Sequence, residues 1–506
     1  MTAVSVLPDT PENRKLADNV HPTDWVNPEP TGRYNLVVIG AGTAGLICAA
    51  GAAALGGKVA LIERHLMGGD CLNVGCVPSK GLLRAARAVY DARSGAECGV
   101  RGGGLVSFDF TAAIERMRRL RAEISAHDSA RRFRDELGVD VFIGEGIFSG
   151  PDSVEVAGKQ LLFKKAAICS GARAVAPPIP GLAEAGYLTN ETVFSLTELP
   201  QRLAVIGAGP IGCELAQAFS RFGSRVTLLE MGAHVLGRED LDAAVILHQA
   251  FIREGIDLQL GVKILGVERH GKEKTVRFEQ RGSTSEVTVD QILVGSGRAP
   301  NTGGLGLDAA NVIFDNSGVT VNDRLQTSNP DIYAAGDICS PFKFTHTADA
   351  MARILLANAL FKGRQKVSRL TIPWCTYTDP EIAHVGMYEQ DAEANGIKVT
   401  TLTIPLSEVD RAVLDGETAG FARVHVKTGT DMILGATIVA RHAGEMLNEF
   451  SVAITNGLGL GAIARTIHPY PTQAEVIKKL ADLYNRTRLT PLVKRILAGW
   501  LKWQRR

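Results

Sequence analysis

The sequence predicts an α/β fold in which two similarly built units are followed by a C-terminal α+β region. Two glycine-rich turns, at Gly40 and Gly207, each follow an apolar run and precede a helical segment. This order is typical of a strand, a loop and a helix in a parallel sheet. The chain of 506 residues is longer than one ordinary domain, and its 45% of hydrophobic residues can form several cores.

Charge and composition exclude several classes of protein. The 55 basic and 54 acidic residues nearly cancel, so no nucleic acid is expected as a partner. No apolar run reaches the roughly eighteen residues that a transmembrane helix needs, and the Pro-rich N-terminus lacks the apolar core of a secretory signal. Eight cysteines spread over the chain do not form a disulfide scaffold. We therefore expect a cytoplasmic protein.

The first glycine turn fits the fingerprint of a Rossmann-like dinucleotide-binding domain. Gly40 permits the tight turn, Gly42 lets the backbone approach a pyrophosphate, and Gly45 allows close helix–sheet packing. The phosphates would lie at the N-terminus of the following helix, where free N–H groups favour anions. The next strand ends at Glu63, whose carboxylate can accept hydrogen bonds from a ribose diol.

The second glycine turn repeats the fingerprint at Gly207, Gly209 and Gly212. The strand that follows ends at Glu230. A carboxylate in this place accepts hydrogen bonds from the free ribose hydroxyl of NADH and repels the extra phosphate of NADPH. The residues therefore slightly favour NADH at the second site, while Arg225 and Arg238, which are close in sequence, could offset the Glu230 charge and leave NADPH as the alternative.

Cys71 and Cys76 lie five positions apart near a helix start, in the segment GGDCLNVGCVPSK. Their separation is compatible with a disulfide if the helix begins irregularly, as Gly75 and Pro78 indicate. Oriented N–H groups at a helix start lower the pKa of a thiol, so the reduced pair would hold a reactive thiolate. The alternative is two buried structural cysteines, which the position beside Lys80 and after a nucleotide unit disfavours.

This segment resembles the active-site motif of the pyridine nucleotide-disulfide oxidoreductases, such as lipoamide dehydrogenase, glutathione reductase and mercuric reductase. The likeness runs from about Tyr34 to about Tyr484. It implies FAD in the first unit, NAD(P)H in the second, and a redox-active disulfide between Cys71 and Cys76. It further implies that Cys76 faces the flavin and that Cys71 meets the substrate.

Other segments resemble the same family in the same order. Lys80 would lie against the flavin ring, paired with Glu214, and Asp337 would bind the ribityl chain. A helix from about Thr347 would direct its N-terminus at the flavin and stabilise the anion that forms on reduction. Four residues resemble those at the crossovers between the two nucleotide domains: Ser170, Gly171, Gly297 and Arg298.

The resemblance divides the chain into domains and implies a homodimer. The expected parts are an N-terminal arm (1–33), an FAD-binding domain in two pieces (34–172 and 299–366), an NAD(P)-binding domain (173–298), an α+β interface or dimerisation domain (367–487) and a basic tail (488–506). The arm is expected to be disordered or draped over the surface, because Pro and Asn dominate it and no period emerges.

The residue at the family's acid/base position bears on the electron acceptor. Disulfide-reducing members carry a His five residues before a Glu, and counting back from Glu475 gives Tyr470 instead. A phenol with a pKa near about 10 is a poor base at neutral pH, whereas delivering electrons to a thiolate-bound metal ion needs no such base. Mercuric reductases carry Tyr here. Whether His468, two residues earlier, replaces the missing His stays open.

The resemblance therefore favours a mercuric reductase-like enzyme that passes electrons to Hg(II) or a small disulfide, with Cys71 and Cys76 as transient Hg(II) ligands and no resident metal. We expect three features of relatives to be absent: a C-terminal Cys pair, since Cys375 is the last cysteine, an N-terminal metal-capturing domain, and a gating Tyr at the position of Pro210. One alternative is dihydrolipoyl dehydrogenase or another flavin disulfide reductase. Another is a membrane-associated, redox-sensing flavoprotein.

The tail is expected to form a basic amphipathic helix. Its apolar positions are Leu489, Leu492, Val493, Ile496, Leu497, Trp500 and Leu501, and its basic ones are Lys494, Arg495, Lys502, Arg505 and Arg506. Such a helix can lie on an anionic surface, which would be the inner face of the membrane. The alternative is packing on the protein's own body or its dimer mate.

Overall fold

The computed structural model of the chain describes residues 4–505. Arg506, to which the sequence assigns part of the basic charge of the tail, lies outside the described residues. The described residues form two compact units. The first unit runs to Gly232 and resumes at Glu254–Leu370, and the second combines Ala233–Arg253 with the chain from Thr371 onward.

The bounds of the elements are as follows. The strands are β1 (Arg33–Ile39), β2 (Val59–Glu63), β3 (Asp140–Ile143), β4 (Ile147–Gly150), β5 (Ser153–Val156), β6 (Lys159–Ile168), β7 (Ala172–Ala174), β8 (Arg202–Ile206), β9 (Arg225–Glu230), β10 (Asp257–Leu260), β11 (Lys263–His270), β12 (Glu273–Gln280), β13 (Ser283–Val289), β14 (Gln291–Val294), β15 (Arg298–Pro300), β16 (Phe314–Asp315), β17 (Gly318–Val319), β18 (Ile332–Ala334), β19 (Pro373–Thr376), β20 (Glu381–Gly386), β21 (Val399–Pro405), β22 (Phe421–Lys427) and β23 (Ile433–Ala440). The α-helices are α1 (Pro11–Val20), α2 (Thr43–Ala54), α3 (Gly69–Asn73), α4 (Cys76–Ser94), α5 (Phe110–Ile124), α6 (Ala130–Asp135), α7 (Leu182–Ala185), α8 (Pro210–Phe222), α9 (Leu241–Arg253), α10 (Thr345–Phe361), α11 (Glu389–Ala394), α12 (Asp410–Leu414), α13 (Ala443–Met446), α14 (Asn448–Thr455), α15 (Leu460–Arg465), α16 (Glu475–Thr487) and α17 (Pro491–Gln504).

The largest sheet of the first unit has the order β3-β2-β1-β6-β5-β4, and β18 pairs with β6. β3, β2, β1, β6 and β18 run parallel, whereas β5 pairs antiparallel with β6 and β4 pairs antiparallel with β5. β1 and β2 are largely buried, because a parallel sheet covered by helices is apolar on both faces. The carboxyl ends of parallel strands meet at one edge, which is where ligands bind in such sheets. Gly40 follows β1 and Glu63 ends β2 at this edge.

A second, fully parallel sheet in the same unit has the order β10-β9-β8-β14. Its β8–α8–β9 segment repeats the construction of β1–α2–β2, so the two predicted nucleotide units are both present as strand, glycine turn, helix and strand. The short strands β7 and β15 pair antiparallel and connect the two sheets. The α/β fold class predicted from the sequence is confirmed.

The N-terminal arm is not disordered, and that alternative of the sequence analysis is wrong. Residues Pro11–Val20 form α1, whose N-cap Thr10 accepts a hydrogen bond from the Asn13 N–H. Leu16 and Val20 are fully buried in the core of the first unit. The polar composition of the arm gave no signal for these two apolar residues. Their burial holds α1 in place.

The second unit contains one antiparallel sheet of order β19-β20-β23-β22-β21. Its core includes residues of α13 to α16 that pack on the sheet. Ala233–Arg253, which the sequence assigns to the NAD(P)-binding domain, groups with this unit. Among residues 4–505, no helix has both the length and the hydropathy needed to cross a bilayer.

Candidate active site

The cysteine-bearing segment folds as two helices rather than as one irregular helix. Cys71 lies within α3 and Cys76 is the first residue of α4. Gly75 separates them, and a Cβ built there would lie 2.7 Å from the Asp70 carbonyl oxygen and 3.2 Å from the Cys71 Cα. Real Cβ atoms do not approach a backbone oxygen so closely, so glycine is required to bring the start of α4 against Cys71.

The two thiols contact each other through a hydrogen bond and are not joined by a disulfide. The hydrogen bond from Cys71 lowers the pKa of Cys76 to about 6; burial opposes this shift, and Thr345 and Lys80 support it. The same bond raises the pKa of Cys71, and burial raises it further. At neutral pH Cys76 is therefore the thiolate and Cys71 its hydrogen-bond donor.

Thr345 is a site residue that the sequence did not indicate. Its Oγ1 lies 3.5 Å from Cys76 Sγ, and it is the first residue of α10. The helix thus begins two residues before the predicted Thr347, whose own buried Oγ1 has no hydrogen-bond partner in the structure. The sequence separation of 269 between Thr345 and Cys76 left no local signal for this contact.

Lys80 and Glu214 form the pair that the resemblance implies. Lys80 Nζ donates to Glu214 Oε2 across 2.9 Å. Lys80 extends from α4 and Glu214 from α8, where it is only 4% exposed. A buried carboxylate needs a compensating cation, and this pairing holds the ammonium group close enough to Cys76 to lower its pKa.

Arg298 links the redox segment to the predicted FAD motif. Its guanidinium forms an ion pair with Asp70, directly before Cys71, and lies 3.5 Å from the carboxylate of Asp337. Burial raises the pKa of Asp337, and Arg298 counteracts that shift. The sequence placed Arg298 at a crossover but gave no indication of its contact with Asp70.

The predicted crossovers lie side by side. Ser170 Oγ donates to the Asn301 carbonyl across 3.0 Å, and Asn301 Nδ2 donates to the Ser170 carbonyl across 2.9 Å. Gly171 and Gly297 have φ values of +69° and +88°, which favour glycine. The contact fixes the path of both crossovers at the edge of the first nucleotide site.

The first nucleotide site fits FAD. A Cβ at Gly45 would collide with the Gly40 carbonyl, whereas a Cβ at Gly42 would meet only a Gly69 Cα at 3.7 Å. Glu63 accepts hydrogen bonds from the Ala41 and His65 N–H groups, at 2.7 and 2.8 Å, and burial raises its pKa. A cavity of about 80 Å³ lies at this edge of the sheet, lined in part by Gly40, Glu63, Arg64, Gly144, Ser170 and Asn301.

The second site repeats this geometry. A Cβ at Gly212 would collide with the Gly207 carbonyl, and a Cβ at Gly209 would meet no atom within 4 Å. Glu230 accepts hydrogen bonds from the Ala208 and Gly232 N–H groups, at 2.6 and 2.7 Å. Both fingerprints therefore present an open backbone at the middle glycine, where a pyrophosphate can approach.

The acid/base candidates lie in the second unit. Tyr470 is 68% exposed, and its hydroxyl donates to Asp410 across 2.9 Å. The side chain of His468 is largely buried, with Nε2 at 3.0 and 3.1 Å from the two carboxylate oxygens of Glu449. Glu475 has a buried Oε2 without a hydrogen-bond partner in the structure.

Comparison with known proteins identifies the family. Residues 34–352 match the family described as pyridine nucleotide-disulphide oxidoreductase, and residues 372–481 match its dimerisation domain. The chain belongs to the pyridine nucleotide-disulphide oxidoreductases. The resemblance found in the sequence is confirmed, and the dimerisation domain indicates that this oxidoreductase is a homodimer.

Several relatives of this oxidoreductase are known. It is 36% identical to a mercuric reductase of Bacillus cereus, over 90% of this chain and 72% of the relative. It is 31% identical to a dihydrolipoyl dehydrogenase of Bacillus subtilis, over 88% of this chain and 97% of the relative. The HOCl-induced flavoprotein disulfide reductase RclA from Escherichia coli superposes with a TM-score of 0.80 and 29% identity, covering 89% of this chain and all of that one. The protein is accordingly a flavoprotein disulfide oxidoreductase of a family that uses FAD and NAD(P)H.

Proposed function

We propose that this oxidoreductase takes electrons from NAD(P)H and delivers them through Cys71 and Cys76 to Hg(II) held by thiolates. The observation that carries the proposal is the hydrogen bond between the two thiols, which leaves Cys76 as a thiolate near neutral pH. Soft thiolate sulfurs are the ligands that a soft metal ion prefers. Because the two thiols interact directly, both sulfurs can serve as ligands of one such ion in this proposal.

The residues around the pair have separate roles in this proposal. When bound, FAD supplies the two-electron transfer from NAD(P)H to the Cys71–Cys76 disulfide. Gly40, Gly42, Gly45, Glu63 and Asp337 hold it, while Ser170, Gly171, Gly297 and Arg298 shape the crossovers beside it. Lys80 and Thr345 stabilise the Cys76 thiolate. Two electrons drawn from the dithiolate would convert Hg(II) to Hg(0) and leave the disulfide. The next two electrons from NAD(P)H would reduce that disulfide again.

The choice of acceptor rests on Tyr470. Exchange between a dithiol and a disulfide moves protons, and an imidazole is suited to that task at neutral pH, whereas a phenol is not. The hydrogen bond to Asp410 raises the pKa of Tyr470 further. Reduction of a bound metal ion needs no proton transfer at this position, so Tyr470 supports the metal acceptor.

The test is acceptor-dependent oxidation of NADH and of NADPH with Hg(II), lipoamide and glutathione disulfide. We expect the highest kcat/KM with Hg(II), and the Cys76→Ser variant to lose turnover with every acceptor. Brisk lipoamide turnover without Hg(II)-dependent turnover would overturn the choice of acceptor. Negligible turnover with all acceptors would favour the redox-sensing flavoprotein.

A second candidate, dihydrolipoyl dehydrogenase, is favoured by one contact. The imidazole of His468 lies against the Glu449 carboxylate, and such a pairing orients an imidazole for proton transfer. If His468 serves as the base, His468→Ala should abolish lipoamide turnover and leave Hg(II)-dependent turnover in place. Lipoamide turnover that is low in the wild type and unchanged in His468→Ala would eliminate this candidate.

We also propose that α17 binds an anionic phospholipid surface. In the described part of the helix only Val493 is not exposed. The rings of Trp500 and Trp503 lie with their centroids 5.1 Å apart and their planes tilted by 35°. No Asp or Glu follows Asp482, while several Lys and Arg do. Apolar side chains occupy one face along the length of the helix, and basic side chains occupy the opposite face. This arrangement fits a lipid surface with negative headgroups.

Co-sedimentation with phosphatidylglycerol-containing vesicles tests this contact. We expect the full chain to pellet with these vesicles and not with phosphatidylcholine vesicles, and a chain without residues 488–506 to stay in the supernatant. Trp500→Ala with Trp503→Ala should reduce pelleting, since the indoles anchor at the interface. Equal pelleting of the full and shortened chains would refute membrane contact and leave packing on protein as the role of α17.

A further inference from the structure

The N-terminal arm, residues 4–33, lies outside the matched family region, which begins at residue 34. It is linked at two points to the chain around the redox segment, residues 68–80. At one end, the Met67 N–H donates to the Val20 carbonyl across 3.1 Å. At the other end, the link runs through one buried side chain, that of Arg121 in α5. The arm is thus linked directly to the residue before this segment, and through Arg121 to Asn73, which lies between the two cysteines.

Arg121 joins the arm to the redox segment directly. Its Nη2 donates to Asn13 Oδ1 across 2.7 Å, and its Nη1 donates to the Asn73 carbonyl across 2.6 Å. Arg121 is 3% exposed and Asn13 1% exposed. Burial lowers the pKa of Arg121 to about 10, and no carboxylate of residues 4–505 forms an ion pair with it. A buried cation without an acidic partner is costly. The guanidinium therefore depends for its stabilisation on its hydrogen bonds to the Asn73 carbonyl and to Asn13 Oδ1.

The contact of Arg121 with the Asn73 carbonyl affects how the two redox cysteines approach each other. Asn73 ends α3, and the last carbonyls of a helix have no partner within the helix. A cationic donor there satisfies the carbonyl and interacts favourably with the helix dipole. Cys71 lies two residues before Asn73 and Cys76 three residues after it, so fixing this carbonyl fixes the approach of α3 to the start of α4.

We propose that Arg121 is a positioning residue for the redox pair and that Asn13 of the N-terminal arm holds it in place. The inference rests on the proposed function of Cys71 and Cys76, since it concerns how readily their sulfurs meet. In the reaction that measures this, the Cys71 thiol and the Cys76 thiolate form an S–S bond and lose two electrons and the Cys71 proton. Glutathione disulfide accepts the two electrons and, with that proton and one from solvent, becomes two glutathione thiols.

The chain offers matched controls for both members of the link. Arg118 lies one turn earlier on α5, is equally buried at 3% exposure, and donates to the Leu196 carbonyl instead. Asn19 lies on α1 and donates to Ser125 Oγ across 2.8 Å. Asn13→Ala and Arg121→Lys should therefore be compared with Asn19→Ala and Arg118→Lys in the full chain.

The measurement is the ratio of disulfide to dithiol in a glutathione buffer of fixed composition, with each cysteine identified by alkylation and peptide mass. We expect Asn13→Ala and Arg121→Lys to lower this ratio about tenfold, because each loses a hydrogen bond of a charged group, and the two controls to stay within about twofold of the wild type. The alkylation profile of Cys76 against pH should also shift upward in the first two variants only.

Two results would overturn the inference, and they are distinguishable. If the wild type forms the Cys71–Cys76 disulfide and all four variants match it, or all four change alike, Arg121 and Asn13 have no positioning role while the proposed function stands. If the wild type forms no such disulfide in the same buffer, the proposed function fails and the inference fails with it.

Discussion

Lys80 donates to Glu214 across 2.9 Å, and this ion pair joins the helix that begins at Cys76 to the helix of the second nucleotide site. The ammonium group also lowers the pKa of Cys76. A substitution of Lys80 should therefore change both the pKa of Cys76 and the contact between α4 and α8.

The pKa of Cys76 gives the first prediction. Because that pKa is lowered to about 6, the thiolate persists at pH 7 and is lost as the pH falls through about 6. Cys71→Ala removes the largest cause of the shift, and Lys80→Met removes a smaller one, so both should raise the pKa, the first by more. The rate of Cys76 alkylation by iodoacetamide in reduced protein, followed from pH 5 to 9, measures it. Cys98→Ala, at an exposed cysteine, is the control; an unchanged midpoint in Cys71→Ala would refute the assignment.

The second prediction concerns the acid/base position. Tyr470→His should raise lipoamide turnover by about a hundredfold, because general acid–base catalysis by a well-placed imidazole is worth at least that much. Tyr470→Phe, which only removes the hydroxyl that binds Asp410, should produce no gain. Steady-state kcat/KM for lipoamide decides, and equal behaviour of the two variants would show that this position does not govern proton transfer.

Local motifs were predictable from the sequence because each is complete within a short stretch of chain. The turns at Gly40 and Gly207, and the strand ends at Glu63 and Glu230, follow from glycine spacing and apolar runs. The pairing of Lys80 with Glu214 came only from the resemblance, since no periodicity links residues 134 positions apart.

The remaining contacts could not be predicted because they depend on packing between distant elements. Thr345 reaches Cys76, and Arg121 reaches Asn73, across long sequence separations. The arm was expected to be disordered or draped over the surface because Pro and Asn dominate it and no period emerges. Leu16 and Val20 of the arm are fully buried all the same.

The third prediction concerns the two matching carboxylates. Glu230→Ala should lower the preference for NADH over NADPH severalfold, because it removes the charge that repels the extra phosphate. Glu63→Ala, the same change at the equivalent place in the first unit, should weaken FAD retention and leave the nucleotide preference unaltered. The ratio of kcat/KM for the two nucleotides, measured on FAD-saturated protein, tests both statements. A ratio that Glu230→Ala leaves unchanged would contradict the role assigned to Glu230.

The fourth prediction concerns the stability of the arm. Leu16→Ala should destabilise the arm by about 3 kcal/mol, as expected for a fully buried leucine, and lower the Tm of the holoenzyme by a few degrees. Lys15→Ala, on the exposed face of the same helix, should leave the Tm within about one degree. Equal Tm values for both variants would mean that α1 does not stabilise the first unit.

The central claim is that electrons from NAD(P)H arrive at Cys71 and Cys76 and nowhere else among the cysteines. The most direct measurement is anaerobic reduction of purified, FAD-containing protein with one equivalent of NADH, followed by alkylation and peptide mass analysis. The account predicts that Cys71 and Cys76 become alkylated only after reduction, while Cys98 is alkylated before and after. Protein that retains no FAD, or a Cys71–Cys76 pair whose labelling does not change with NADH or NADPH, would contradict it.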